Sequence, residues 1–229
     1  MMPQAVMVFA AGLGTRMGAL TQDRPKPLIP VAGRALIDHA LDLTAPLGPV
    51  RRVVNVHYRA SLLRAHLAGR EVQIADETAA LLDTGGGLRA ALPLLGDGPV
   101  WTLNADAVWT APNPLQTLAR AWDGARMTAL LLLTPLDRAT GHRGKGDFAL
   151  APDGRLLRGG PLVYLGAQIL QTGGLAAIDA PAFSLNRLWD MAAAAGRLFG
   201  TLHPGGWCDV GQPESLPLAE ALLRRADVH

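Results

Sequence analysis

The chain has 229 residues, 49% of them hydrophobic and 17% charged, with a formal net charge of +2 at pH 7. That length accommodates one large or two small domains with a sizeable core. Arginines are dispersed, aromatic residues make up 5%, and no stretch approaches the ~20 apolar residues of a membrane span, so neither nucleic acid nor a membrane is expected as a partner. The single cysteine, Cys208, excludes an internal disulfide and any Cys-x-x-Cys metal site. The first apolar run has no basic segment ahead of it and passes straight into a glycine loop, so a cytoplasmic setting is expected.

Residues 6–11 have the length and composition of a buried strand. A helix is predicted over 35–44, stopped by Pro46 and Gly48, followed by a strand over 52–56. Residues 61–67 read as a helix closed by Gly69, and 72–75 as a strand. A helix over 85–95, with Asp83 or Thr84 as its N-cap, leads to a fourth strand at 100–103. This alternation is the rhythm of a doubly wound α/β sheet. Beyond it the pattern loosens. Strands are predicted at 127–133, 147–150, 161–165 and 198–202, and helices at 185–194, capped by Ser184, and 213–225. Glycine turns fall at 141–146 and 159–160. One domain over 1–229 with a mixed sheet is expected, in which residues 126–229 form a lid over a crevice built mainly by 1–125.

The first strand opens into Gly12-Leu13-Gly14-Thr15-Arg16-Met17-Gly18. Glycines let backbone N–H groups converge on an anion, and Arg16 adds a charged clamp. The loop departs from a dinucleotide fingerprint, because Gly18 falls one residue late and Pro25, Pro27 and Pro30 forbid a long helix. The second strand also ends in Asn55-Val56-His57, with no acid for a ribose, which disfavours a nicotinamide-dependent reductase. A Walker loop is absent, since Gly144-Lys145 is followed by Gly146. Pro25 and Pro27 instead pin Lys26 on a stiff segment, as suits charge developing on a phosphoryl group.

In a doubly wound sheet, ligands sit beyond the carboxyl ends of the strands where the winding reverses. With the fourth strand beside the first, Asn104-Ala105-Asp106 meets the glycine loop. A carboxylate facing phosphates calls for a cation between them, and a hard divalent ion such as Mg²⁺ fits.

The stretch AAGLGTRMGALTQDRPKPLIPVAGRALI resembles the signature of the sugar-1-phosphate nucleotidyltransferases, G-x-G-T-R followed by P-K-P. Within that family the chain resembles the short N-acetylmuramate-1-phosphate uridylyltransferases, which share A-A-G-x-G-x-R-M, T-G-G-G, N-x-D and a compact length. The resemblance implies a Rossmann-like, GT-A-like fold that makes an NDP-sugar and pyrophosphate from an NTP, UTP foremost, and a sugar 1-phosphate. Guanylyl transfer to mannose 1-phosphate and a non-catalytic nucleotide-sugar sensor are the alternatives.

By the same resemblance, Arg16, Lys26, Asp106 and Asp209 are the catalytic set, and the two aspartates hold Mg²⁺. Ala11, Gly12, Gly14, Thr15 and Asn104 join Arg16 and Lys26 around the nucleotide phosphates, with Thr84, Gly85 and Glu77 at the base. Gly146, Asp147, Gly166 and Gln168 border the sugar. Relatives carry glycine before the metal aspartate, whereas this chain has Ala105. Small-molecule substrates and a monomer or small homo-oligomer are expected. His57 and Cys208 have structural readings, and no G-x-S-x-G elbow offers a hydrolase nucleophile.

Overall fold

The computed structural model describes residues 1–226. In the first half the strands are β1 (Ala5–Phe9), β2 (Pro30–Val31), β3 (Arg34–Ala35), β4 (Arg51–Val56), β5 (Gln73–Asp76), β6 (Pro99–Asn104) and β7 (Ala107–Trp109). They are interleaved with helices α1 (Leu36–Asp42), α2 (Ala60–Leu67), α3 (Asp83–Leu95) and α4 (Pro114–Ala121). The second half adds β8 (Ala129–Pro135), β9 (Phe148–Leu150), β10 (Leu156–Arg158), β11 (Leu162–Gln171), α5 (Asn186–Ala194), β12 (Leu198–Leu202), β13 (Trp207–Asp209) and α6 (Leu216–Ala226).

β6, β1, β4 and β5 are parallel neighbours in a nine-stranded mixed sheet. β11 runs antiparallel to β6, and β8, β9, β10 and β12 extend the sheet beyond it. The winding reverses at β1, between β4 and β6, as the sequence predicted. Val6 and Val8 pack into one core layer with α1, α2 and α4, while Ala5 and Met7 pack into another with α3 and α5. Burial on both faces explains why β1 is a continuous apolar run. Among the described residues, no helix is long and apolar enough to cross a membrane.

Several local expectations are corrected. α3 begins at Asp83 with Leu82 in the N-cap position and no side-chain cap; Asp83 sits at φ 59 and its carboxylate accepts the N–H of Thr84. α5 begins at Asn186, after Leu185, with no side-chain cap, and Ser184 accepts the Asn186 N–H one position early. The strand expected at 161–165 continues to Gln171 because Gly166, at φ 79, absorbs a register shift between Tyr164 and Gln168. A turn-prone residue inside a strand hid its second half. α4, capped by the Asn113 side chain, and the β7–β13 pair were not foreseen.

Candidate active site

The loop after β1 is shaped by one glycine that has no substitute. Gly14 lies at φ 66, and a Cβ there would stand 2.9 Å from Lys26 Cβ and 3.0 Å from Thr21 Cγ2. The bare backbone is what lets Lys26 pass alongside. The chain then winds through a 3-10 turn, Thr15–Thr21, broken at Gly18. Thr21 Oγ1 donates toward the Gly14 and Gly18 carbonyls, and the Tyr58 hydroxyl donates to Thr21 O at 2.9 Å. Pro25-Lys26-Pro27-Leu28 closes a tight turn in which Leu28 N–H reaches Pro25 O and Ile29 N–H reaches Lys26 O, both at 2.9 Å. Lys26 is buried, at 8% exposure.

The two predicted metal aspartates meet through strand pairing. Asp106 lies between β6 and β7; β13 runs antiparallel to β7, setting Asp209 opposite Ala107, and Val210 N–H donates to Asp106 O at 2.9 Å. Lys26 Nζ stands 2.8 Å from Asp106 Oδ2. Arg16, Asp106, Asp209 and His142 line one pocket of about 190 Å³ with Asn104, Tyr164 and Gly166. Burial, and then the charge of Asp106, holds the Asp209 carboxyl above the usual carboxylate range, against the pull of Lys26, Arg16 and His142. Two hard oxygen donors in a half-buried corner match the preference of a hard divalent cation. Among the described residues no third His, Cys, Asp or Glu completes the set. Cys208 is fully buried, and burial raises its thiol to about 12, so it stays protonated. Ala105 packs into the core, at 1% exposure, with its N–H on Phe9 O.

A cavity of about 400 Å³ opens above the strand ends, lined by Ala11, Gly12, Lys26, Glu77, Thr84, Asn104 and Asp106. A neighbouring cavity of about 310 Å³ is lined by Asp147, Gln168, Arg158 and Trp189. Asn104 borders both. Gln168 Oε1 accepts from Trp189 Nε1 at 2.8 Å, and Asp147 accepts the Tyr164 N–H at 2.9 Å, so both sugar-site candidates are held by their neighbours.

Other predicted residues stand apart from these cavities. Gly14 and Thr15 lie within the loop fold. The N–H groups of Gly85 and Gly86 donate to Phe183 O, and side chains at Gly85, Gly86 and Gly87 would collide with Phe183, Pro181 and Glu77 respectively. The triple glycine therefore packs the start of α3, and the Gly85 amide has a protein partner instead of a free edge for a base. A side chain at Gly146 would strike Gly160 and Pro161, which marks it as a crossing point between segments. Missed from sequence were Asn55 in the larger cavity, Arg158 in the second, and His142 beside the aspartates. Asn55 carried a signal, a polar residue ending an apolar strand; Arg158 and His142 lie in segments without periodicity.

Residues 6–171 match the family model for the MobA-like NTP transferase domain. The chain is 44% identical, over 98% of both sequences, to N-acetylmuramate alpha-1-phosphate uridylyltransferase of Caulobacter vibrioides. It is 31% identical to the enzyme of that name from Neisseria meningitidis, covering 94% of this chain and 96% of the relative. The inositol-1-phosphate CTP transferase of T. maritima shares the fold, with a TM-score of 0.77 at 16% identity over 99% of this chain and 97% of that one. The glycine loop, the pinned lysine and the paired carboxylates thus sit on a shared framework, and the chain belongs to the MobA-like NTP transferase domain family.

Proposed function

We propose that this chain transfers a uridylyl group from UTP to N-acetylmuramate 1-phosphate, releasing pyrophosphate. The observation that carries the reading is the convergence of Lys26, Arg16, Asp106 and Asp209 where the glycine loop meets the ends of β6 and β13. The near-full-length likeness to two uridylyltransferases supports the base and the sugar.

The triphosphate lies along the loop in the larger cavity, and the sugar phosphate enters from the cavity beside Asp147 and Gln168. An oxygen of the sugar phosphate attacks the α-phosphorus in line; the new P–O bond forms as the bond to the β-phosphate oxygen breaks, and pyrophosphate leaves with that electron pair. No covalent enzyme intermediate is needed, so the protein's work is positioning and charge stabilisation. Lys26, rigid between two prolines, steadies the reacting phosphates. Arg16 and the Gly12 backbone at the cavity wall hold the departing pyrophosphate. Asp106 and Asp209 are the residues that would hold Mg²⁺, which when bound neutralises charge on the α-phosphate. Glu77, 3% exposed, presents an acceptor to the base, which matches the ring N–H of uracil and not the ring lone pair of cytosine.

The test is pyrophosphate release from UTP, GTP, CTP and dTTP, each against N-acetylmuramate, N-acetylglucosamine and mannose 1-phosphates. UTP with N-acetylmuramate 1-phosphate is expected to give the highest kcat/KM. Turnover confined to GTP with mannose 1-phosphate would replace this reading, and nucleotide-sugar binding without turnover would make the chain a sensor.

A further inference from the structure

Asn55-Val56-His57, at the end of β4, holds a position that the mechanism above leaves unused. Asn55 is 3% exposed, and its Oδ1 accepts the Ala10 N–H at 2.7 Å, where the glycine loop begins. Its Nδ2 donates to Glu77 Oε1, also at 2.7 Å. Glu77 is equally buried and has no ion-pair partner among the described residues. A buried carboxylate without a cation is costly unless hydrogen bonds surround it. Two reach it, from Asn55 Nδ2 to Oε1 and from the Leu82 N–H to Oε2 at 3.3 Å; the Glu77 backbone is held separately, its N–H on Val56 O at 2.9 Å and its carbonyl 2.6 Å from His57 Nδ1. A carbonyl only accepts, so Nδ1 carries the proton. Asn55 and His57, two apart in an extended segment, thus grip the same residue by its side chain and its backbone. Asn55 and Glu77 both line the larger cavity.

We propose that Asn55 is a positioning residue that couples the base site to the phosphate loop, one amide fixing both the Glu77 carboxylate and the first turn at Ala10. His57 supports it by locking the Glu77 carbonyl. The proposal rests on the reading that a nucleotide occupies this cavity.

Asn55→Asp tests it, because the new side chain keeps the acceptor for Ala10 N–H but sets a carboxylate against Glu77. Binding of Mg–UTP by calorimetry, and KM for each substrate, are the readouts. Nucleotide binding is expected to weaken at least tenfold while KM for the sugar 1-phosphate stays within twofold. Adding Glu77→Gln supplies a donor to the introduced carboxylate and is expected to recover at least a third of the loss. Unchanged nucleotide binding, an equal loss for both substrates, or a double variant no better than Asn55→Asp would each overturn the coupling. Should Asn55→Asp not fold, His57→Phe at its half-buried site is read instead. It is expected to weaken Mg–UTP binding at least threefold, and wild-type binding there would overturn the proposal. A wild-type protein that bound no nucleotide would sink the functional reading; nucleotide bound equally by wild type and variant sinks only the coupling.

Discussion

The ammonium of Lys26 stands 2.8 Å from the Asp106 carboxylate, across 80 residues of sequence. The two arrive by unrelated routes, one on a proline-locked turn, the other past the end of β6 beside β1. In the proposed reaction, Lys26→Ala removes a preorganised charge from the reacting phosphates, a class of change that costs roughly 10²–10³ in rate. Steady-state kinetics is expected to show that loss in kcat, and thermal melting a lowered midpoint, because Asp106 and Asp209 lose the buried cation beside them.

Gly14→Ala reaches the same lysine indirectly. It puts a methyl against Lys26 Cβ and a side chain on a left-handed backbone, at about 1–2 kcal/mol. A lowered melting temperature together with a lowered kcat is expected. Ala at the open Gly12 position, with nothing within 4 Å of a built Cβ, serves as the comparison for crowding and is expected to leave the melting temperature near wild type.

Asp209→Asn separates stability from activity. Because burial and Asp106 raise the Asp209 pKa, the folded state holds its proton over a pH window above the ordinary carboxylate range. The metal-free protein therefore loses stability from this group as pH rises through that window. The variant is expected to melt higher than wild type at neutral pH without divalent ions, and to be nearly inactive. A lower melting temperature would refute the charge conflict.

His203 predicts an acid-sensitive fold. It is 1% exposed, lies edge-on to Trp109, and neither ring nitrogen makes a well-formed hydrogen bond; the Gly206 and Thr110 backbones only partly offset its burial. Burial lowers its pKa from 6.5 to about 4. The unfolded chain takes up the proton first, so the stability from a neutral His203 is lost as pH falls from 6.5 to about 4. Denaturant titrations across that range should show a shallower acid loss in His203→Phe than in wild type.

What sequence alone revealed depended on range. Lys26 was legible because two prolines announce its rigidity, and Asp106 because strand order at a reversal is a general rule. Asp209 was reached only through resemblance, since the three-residue strands β7 and β13 leave no periodic trace. At the triple glycine 85–87 the sequence could not separate close packing from ligand approach, because both demand the same residue, and the packing against Phe183, Pro181 and Glu77 left no trace in it. Asn55 was passed over because its two partners, Ala10 and Glu77, become neighbours only when β4 lies between β1 and β5.

The shared cation is tested most directly by counting it. Mn²⁺ binding in the presence of UTP, followed by water-proton relaxation, is expected to show one tight site in the wild type that is lost in both Asp106→Asn and Asp209→Asn. Undiminished Mn²⁺ affinity in either variant would contradict the account.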